Sequence, residues 1–424
     1  MRRWSPAAVY LALAATTALA NACMFTTYAV YYIRTLHLGP LRLVLVGTAL
    51  ELSYHLFQLP TGALADARGR RPCLVAGTAI LGAAFLFEGA IPGLYRATLA
   101  HAAGLFALLI AGEVVRGAGE ALISGADQAW IAGEVGDAAA GGLYLRGARF
   151  AQAAALAGTV AGVALATAGL NLPYLAGGAL YLLLSLFLLL AAREQGFRPG
   201  PAHGNAGLAI PAAARAGMAA IRARPALWGI LAAAVFTGAS SEGPDRLWEA
   251  HLLHTFGLPR LWALPPIAWF GVVACAGYVL GFAATAVAER LLRAGSARAV
   301  SQALVLCTAG RVLALLGFGL APGFRSAMGT LVAMRAATAL QGPVLASWLN
   351  AEIPTDVRAT VLSILGQGDA LGQATGGPAA GWIGARVSLR ASMVLAAALL
   401  GPAVGVYWRA GRRTMRAAGT PEPA

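Results

Sequence analysis

Residues 62–71 read GALADARGRR, from Gly62 through Asp66, Arg68, Gly69 and Arg70 to Arg71. The stretch lies at the seam between two long apolar runs, and each part of it has a physical use. Gly62 lets two helix backbones come close. Asp66 can accept from the N–H groups at a neighbouring helix N-terminus. Gly69 permits a tight turn, and Arg68, Arg70 and Arg71 hold that turn on the cytoplasmic side of a membrane.

The decapeptide resembles the loop between helices two and three of the major facilitator superfamily, G-x-L-x-D-x-x-G-R-R/K. Gly62, Leu64, Asp66, Gly69, Arg70 and Arg71 match it. The resemblance implies an all-α polytopic membrane protein with twelve transmembrane helices in two pseudo-symmetric six-helix bundles. It also implies a secondary transporter of the drug-efflux-like branch.

Composition agrees with a membrane solvent. The 424 residues are 59% hydrophobic and 11% charged, whereas a soluble chain is about a quarter charged. The net charge of +14 is carried by 31 basic residues, all Arg. It lies in short loops rather than on one soluble face, which argues against a nucleic-acid partner. Cys23, Cys73, Cys275 and Cys307 are isolated, so no disulfide framework or zinc site is expected. Nothing resembles a Walker loop or a G-x-S-x-G elbow, so neither an enzyme nor a cofactor is expected. The N-terminus, Arg2-Arg3 followed by an apolar run to Ala20, looks like a signal peptide. The helical pattern nevertheless continues to about Tyr32, favouring an uncleaved first span.

Working outward from the loop gives twelve spans long enough for the roughly 30 Å hydrocarbon core. They are 7–34, 40–65, 72–94, 98–126, 142–168 and 172–193, then 225–255, 261–292, 298–320, 326–351, 357–385 and 389–409. The expected organisation is an N-terminal bundle 1–193, a cytoplasmic linker 194–224, a C-terminal bundle 225–410 and a cytoplasmic tail 411–424. The linker has room for an interfacial helix near Ala212–Ile221. With both termini cytoplasmic, twenty arginines fall inside and seven outside, a positive-inside bias. A monomer in the cell (inner) membrane, with lipid, protons and a small-molecule substrate as partners, is the expectation. A weak echo of the loop, Ala288-Glu289-Arg290, follows span eight.

Ionisable groups inside spans mark function or a paired partner. In span two Glu51, Tyr54, His55 and Gln58 share one helix face, and Glu51 with His55 can share a proton. In span four Glu113 and Glu120 flank Arg116, and Arg116–Ala121 resembles loosely the facilitator fourth-helix motif, in which the Arg is linked to proton coupling. An Arg that stays charged holds a nearby carboxylate ionised until a proton or substrate displaces it. The alternative for both sets is a structural pair that only fixes packing. In the resembled family an acid at the position of Asp127 pairs with the Arg at that of Arg70, which makes Asp66, Arg70 and Asp127 a cytoplasmic latch.

Span seven carries Glu242, Gly243, Pro244, Asp245, Arg246 and Glu249. Its Gly-Pro is expected to break or kink the helix beside a second substrate region. His251 and His254 at its outer end read as interfacial rather than metal-binding. Asn21 and Tyr28 in span one, with Tyr31, are candidate cavity groups. Asp369 in span eleven is expected to pair with Arg335 in span ten, while Glu88 and Arg311 stand as single charges. The Gly372–Gly381 run is a close-approach face similar to the fifth-helix motif of drug antiporters, but it falls in span eleven. The favoured function is proton-coupled export of small amphipathic compounds by alternating access; the alternative is proton-coupled import of a nutrient, and a non-transporting receptor is a distant third.

Overall fold

In the computed structural model all regular structure among the described residues is helical. The structure describes residues 4–98, 102–197, a few positions between 215 and 223, then 225–260, 264–293, 297–353 and 358–418. Most of the expected linker, including six of the ten positions 212–221, and the last residues of the tail lie outside them.

The helices are α1 (Pro6–Phe25), α2 (Tyr28–Arg34), α3 (Pro40–Arg68), α4 (Arg70–Thr98), α5 (Ala102–Ile123), α6 (Ala126–Val135), α7 (Asp137–Ala168) and α8 (Leu172–Ala191). They continue as α9 (Pro225–His251) with a π turn over Leu252–Phe256, α10 (Ala268–Arg293), α11 (Ala297–Leu320), α12 (Phe324–Glu352), α13 (Arg358–Arg386) and α14 (Leu389–Ala418). Taking α1 with α2, α5 with α6, and α9 with its π turn as single crossings gives the twelve-span all-α fold. Seven described helices are long and apolar enough to cross a membrane on composition alone. The long helices outside that set, α3, α5, α9, α12 and α13, hold most of the intramembrane charges, which is what lowers their hydropathy.

Two compact units form. The first comprises Met1–Arg42, Ala49–His203 and Pro259–Cys275, and the second Leu43–Thr48, Gly204–Leu258 and Ala276–Ala424. In the first, α1 packs on α7 and α8, and α4 on α5 and α8. Bare backbone makes the α1–α7 approach possible: a Cβ on Gly158 or Gly162 would overlap the carbonyls of Leu19 and Cys23. One end of this unit is closed by Val9, Leu13, Leu74, Trp130, Ile131, Leu143 and Leu188. In the second unit α9 packs on α13 and α14, and α11 on α12 and α14. There Gly372 and Gly376 meet the carbonyls of Val235 and Ala239 as small residues do in membrane helix pairs.

Three local features differ from expectation. Span one is broken at Thr26–Thr27, where Thr26 Oγ1 donates to the Ala22 carbonyl at 2.6 Å and Thr27 leaves the helical region with φ −130°. Span seven is not broken at Gly243-Pro244: α9 runs through Pro244 and its irregularity comes later, in the π turn. Pro244 lacks the N–H that would bond the Ser240 carbonyl, a loss that membrane helices tolerate; the Ser240 and Ser241 hydroxyls donate to the Thr237 and Gly238 carbonyls, at 2.8 and 3.0 Å. Finally, α14 continues to Ala418, into the expected tail, with Arg412 lying over the Trp408 ring at 4.6 Å.

Candidate functional site

The first unit buries a charge cluster on α5. Glu113 is 1% exposed and Arg116 3%. Their i, i+3 spacing lets Arg116 Nη1 reach both oxygens of Glu113, at 3.0 Å to Oε1 and 2.8 Å to Oε2. Arg116 Nε lies 3.3 Å from Glu120 Oε1 one turn on. The guanidinium packs against two neighbouring aromatic rings, 5.4 Å from that of Phe25 and 5.5 Å from that of Phe85, which favours a weakly hydrated planar cation. Glu113, Arg116 and Glu120, expected from the sequence to act together, are therefore in one constellation.

Sequence reasoning left out its other half. Glu88 on α4 is fully buried, and its Oε2 meets the Tyr32 hydroxyl at 3.1 Å. The same hydroxyl lies 3.2 Å from Glu113 Oε1 and accepts from Tyr174 at 3.2 Å. Tyr31 donates to the backbone carbonyl of Glu88 at 2.7 Å. Tyr31 and Tyr32 are neighbours in a seven-residue helix. The break before α2 re-aims that helix, and both rings are buried. A lone acid in an apolar span was the available signal; the Thr26–Thr27 break that brings tyrosines to it left none.

The remaining span-one and span-two candidates make helix contacts. Asn21 Oδ1 accepts from Tyr181 at 2.8 Å, and Tyr28 packs against Phe25 and Tyr32. Tyr54 hydrogen-bonds Ser124 at 2.8 Å and accepts from Gln58 at 3.3 Å, tying α3 to the end of α5. Glu51 is half-buried. His55 stands edge-on to Tyr54 at 5.1 Å, and its Nδ1 has no hydrogen-bond partner.

At the Gly62–Arg71 turn, Gly69 ends α3 at φ 102°. The carboxylate that receives the N-terminal N–H groups of α4 is Glu194, not Asp66: Arg70 N and Arg71 N donate to it at 2.6 and 3.2 Å. Asp66 is exposed. Arg70 Nη1 donates to the Ala129 carbonyl at 3.0 Å, and Arg71 to that of Leu189 at 2.7 Å. Asp127 sits at the start of α6, where its carboxyl meets the N–H groups of its own first turn. The expected Asp66–Arg70–Asp127 latch is thus replaced by Glu194 and two carbonyls. Gly62 has open space at its Cβ position, so no close approach explains it.

In the second unit Arg246 Nε lies 3.3 Å from both oxygens of Glu242 one turn back, and Asp245 is exposed. Glu249 is 1% exposed with Oε2 unpartnered. Asp369 accepts from Gln373 at 2.7 Å while Arg335 lies over the Trp248 ring at 5.5 Å, in place of the expected Asp369–Arg335 pair. Arg311 donates to Gln341 at 2.7 Å, and Gln341 to Thr308 at 3.2 Å. His251 is buried between the Phe318 carbonyl, 3.1 Å from Nε2, and Thr255, 2.9 Å from Nδ1. Those contacts use both ring nitrogens within the protein.

Neither a protein-family model nor a curated protein sequence matches the chain. Solved structures do. The nucleoside transporter NupG is similar with TM-score 0.73 at 12% identity, over 99% of this chain and 100% of that one. A bacterial homologue of the human lysosomal transporter Spinster, inward-facing and unoccupied, gives 0.72 at 18% identity over 99% of each chain. A D-xylose–proton symporter gives 0.70 at 14% identity, over 95% and 97%.

The fold is the major facilitator fold. At these identities the likeness carries architecture and no substrate. Within the facilitator fold, the intramembrane polar groups of this chain concentrate in the first unit around Arg116 and in the second around α9.

Proposed function

We propose that the protein is a proton-coupled secondary transporter of the cell membrane, working by alternating access, with both termini cytoplasmic. The observation that supports this most is the Glu113–Arg116 pair, buried within the first unit, with the partly exposed Glu120 one turn on. Buried ions contribute little net stability compared with apolar packing, and inside a membrane they are retained where charge must move.

Export of small amphipathic cations is the favoured direction and substrate class. Acids outnumber bases in the polar cluster of the first unit: Glu88, Glu113 and Glu120 against Arg116. A net-negative, low-dielectric lining favours a cation with an apolar body. Uptake of a nutrient is the alternative, supported by the nucleoside transporter and the proton symporter among the similar structures.

The test is flux in proteoliposomes with an imposed pH gradient. A cationic amphipathic dye should move against its own gradient and stop when a protonophore is added. Gradient-driven movement of a nucleoside or sugar, with none of the dye, would transfer the assignment to uptake. No gradient-driven flux of any of these would overturn proton coupling.

A further inference from the structure

Glu88 differs from the other acids of its cluster. Glu113 and Glu120 both lie against the Arg116 guanidinium. Glu88 has only the Tyr32 hydroxyl, on Oε2, and its buried Oε1 has no hydrogen-bond partner. Leaving an ionised carboxylate so poorly satisfied is costly away from water.

Proton counting around Tyr32 decides the matter. A phenol hydroxyl has one hydrogen to donate and two lone pairs to accept with. Three oxygens surround that of Tyr32: Tyr174 at 3.2 Å, Glu88 Oε2 at 3.1 Å and Glu113 Oε1 at 3.2 Å. Tyr174 donates into one lone pair. The single Tyr32 hydrogen can then serve one carboxylate only. The contact with the other closes as a hydrogen bond only if that carboxyl brings its own hydrogen. Glu113 accepts from Arg116 Nη1 on Oε1 and has its Oε2 2.8 Å from the same nitrogen, so the adjacent cation keeps it ionised. The extra hydrogen therefore belongs to Glu88.

We propose that Glu88 carries a proton that it donates to the Tyr32 hydroxyl, and that this carboxyl is the proton-binding group of the first unit. The groups facing it are Tyr31 and Tyr32 from α2, Glu113, Arg116 and Glu120 from α5, and Tyr174 from α8. When Glu88 gives its proton to water, Tyr32 has one hydrogen for two carboxylates. Turning it to Glu88 releases Glu113 Oε1, and the new charge on Glu88 competes for Arg116. Tyr31 and Tyr32 both hang on residue 88, so the proton acts directly on α2, the short helix beyond the break in span one. This coupling role rests on the transport reading; the protonation itself does not.

Infrared spectroscopy of the purified protein, without substrate, reads the proton directly. At neutral pH the wild type should show a protonated-carboxyl band that Glu88→Gln loses. Tyr32→Phe should keep the band but shift it towards that of an acid with no acceptor. The Gln amide can donate to Tyr32 as the acid does, so Glu88→Gln should keep its circular dichroism. If that variant does not fold, the Tyr32→Phe shift decides. An unchanged carboxyl region in Glu88→Gln, or an unshifted band in Tyr32→Phe, would overturn the proposal. In proteoliposomes Glu88→Gln should lose at least tenfold in pH-driven flux and keep substrate exchange at equal pH. Full driven flux in Glu88→Gln overturns the coupling role while leaving proton-coupled transport intact. Absent flux in the wild type overturns the transport reading alone, with the infrared band still deciding Glu88.

Discussion

Tyr32 and Glu113 meet at 3.2 Å although 81 residues separate them in the chain. That contact joins the end of the broken first span to the charged face of α5, so aromatic packing and ion pairing form one polar network. Cooperative networks of this kind fail as units when one member is removed.

Arg116 is therefore the residue whose loss should be felt most. Arg116→Ala leaves the buried Glu113 carboxylate uncompensated, which costs about 3–5 kcal/mol in comparable sites. Glu120 is more exposed and adds less. The variant should unfold at clearly lower temperature in detergent and show no gradient-driven flux. Arg116→Lys keeps the charge but not the two-pronged geometry, and should recover stability more than flux. In Arg116→Ala/Glu113→Ala the thermal loss should be smaller than the sum of the single losses; strict additivity would mean the two side chains do not interact.

The pattern of the sequence shows why some of this was legible. Helical spacing places Glu113, Arg116 and Glu120 on neighbouring turns of one helix, so their pairing is a local fact. The twelve spans follow from apolar run length, and the Gly62–Arg71 turn from its glycines and arginines. Contacts between distant helices are not local. Glu88 looks like a single charge until α4 is packed on α5, and Glu194 displaces Asp66 as the α4 cap only once the end of α8 comes back to the turn. The Asp369–Arg335 expectation failed for a related reason: Gln373 lies one turn from Asp369, while Trp248 offers Arg335 an aromatic face.

Close backbone approach between α1 and α7 gives a prediction independent of charge. A Cβ at Gly158 or Gly162 would strike main-chain carbonyls, which cannot swing aside as side chains can. Gly158→Ala and Gly162→Ala should each destabilise by about 1–3 kcal/mol, the range for overpacking. Gly142→Ala, on the same helix with open space around it and ordinary φ, should be neutral or slightly stabilising. Thermal midpoints of the three purified variants, compared side by side, check this; equal midpoints would contradict the packing.

At the turn, Glu194 caps α4 through two main-chain N–H groups. Glu194→Ala should cost about 1 kcal/mol, as other N-cap losses do. Gly69→Ala should cost about 1–3 kcal/mol, because φ 102° is unfavourable for a residue with a Cβ. Asp66→Ala, at an exposed position, should change thermal stability least of the three. A larger stability loss from Asp66→Ala than from Glu194→Ala would restore the sequence-based assignment of the cap.

Topology can be tested at the same turn. The arginine bias places Arg68 in the cytoplasm, and the structure leaves it exposed at the end of α3. The native thiols form a quiet background: Cys23, Cys73 and Cys307 are buried and Cys275 is half-buried. In a Cys275→Ser background, Arg68→Cys should react with a membrane-impermeant maleimide only after the cells are opened. Arg325→Cys, exposed at the start of α12 and expected on the outer face, should react in intact cells. Replacing one of three arginines at the turn leaves Arg70 and Arg71 to hold the orientation, so the probe itself does not invert the chain. Labelling of Arg68→Cys in intact cells would put the turn outside and reverse the proposed orientation of every span.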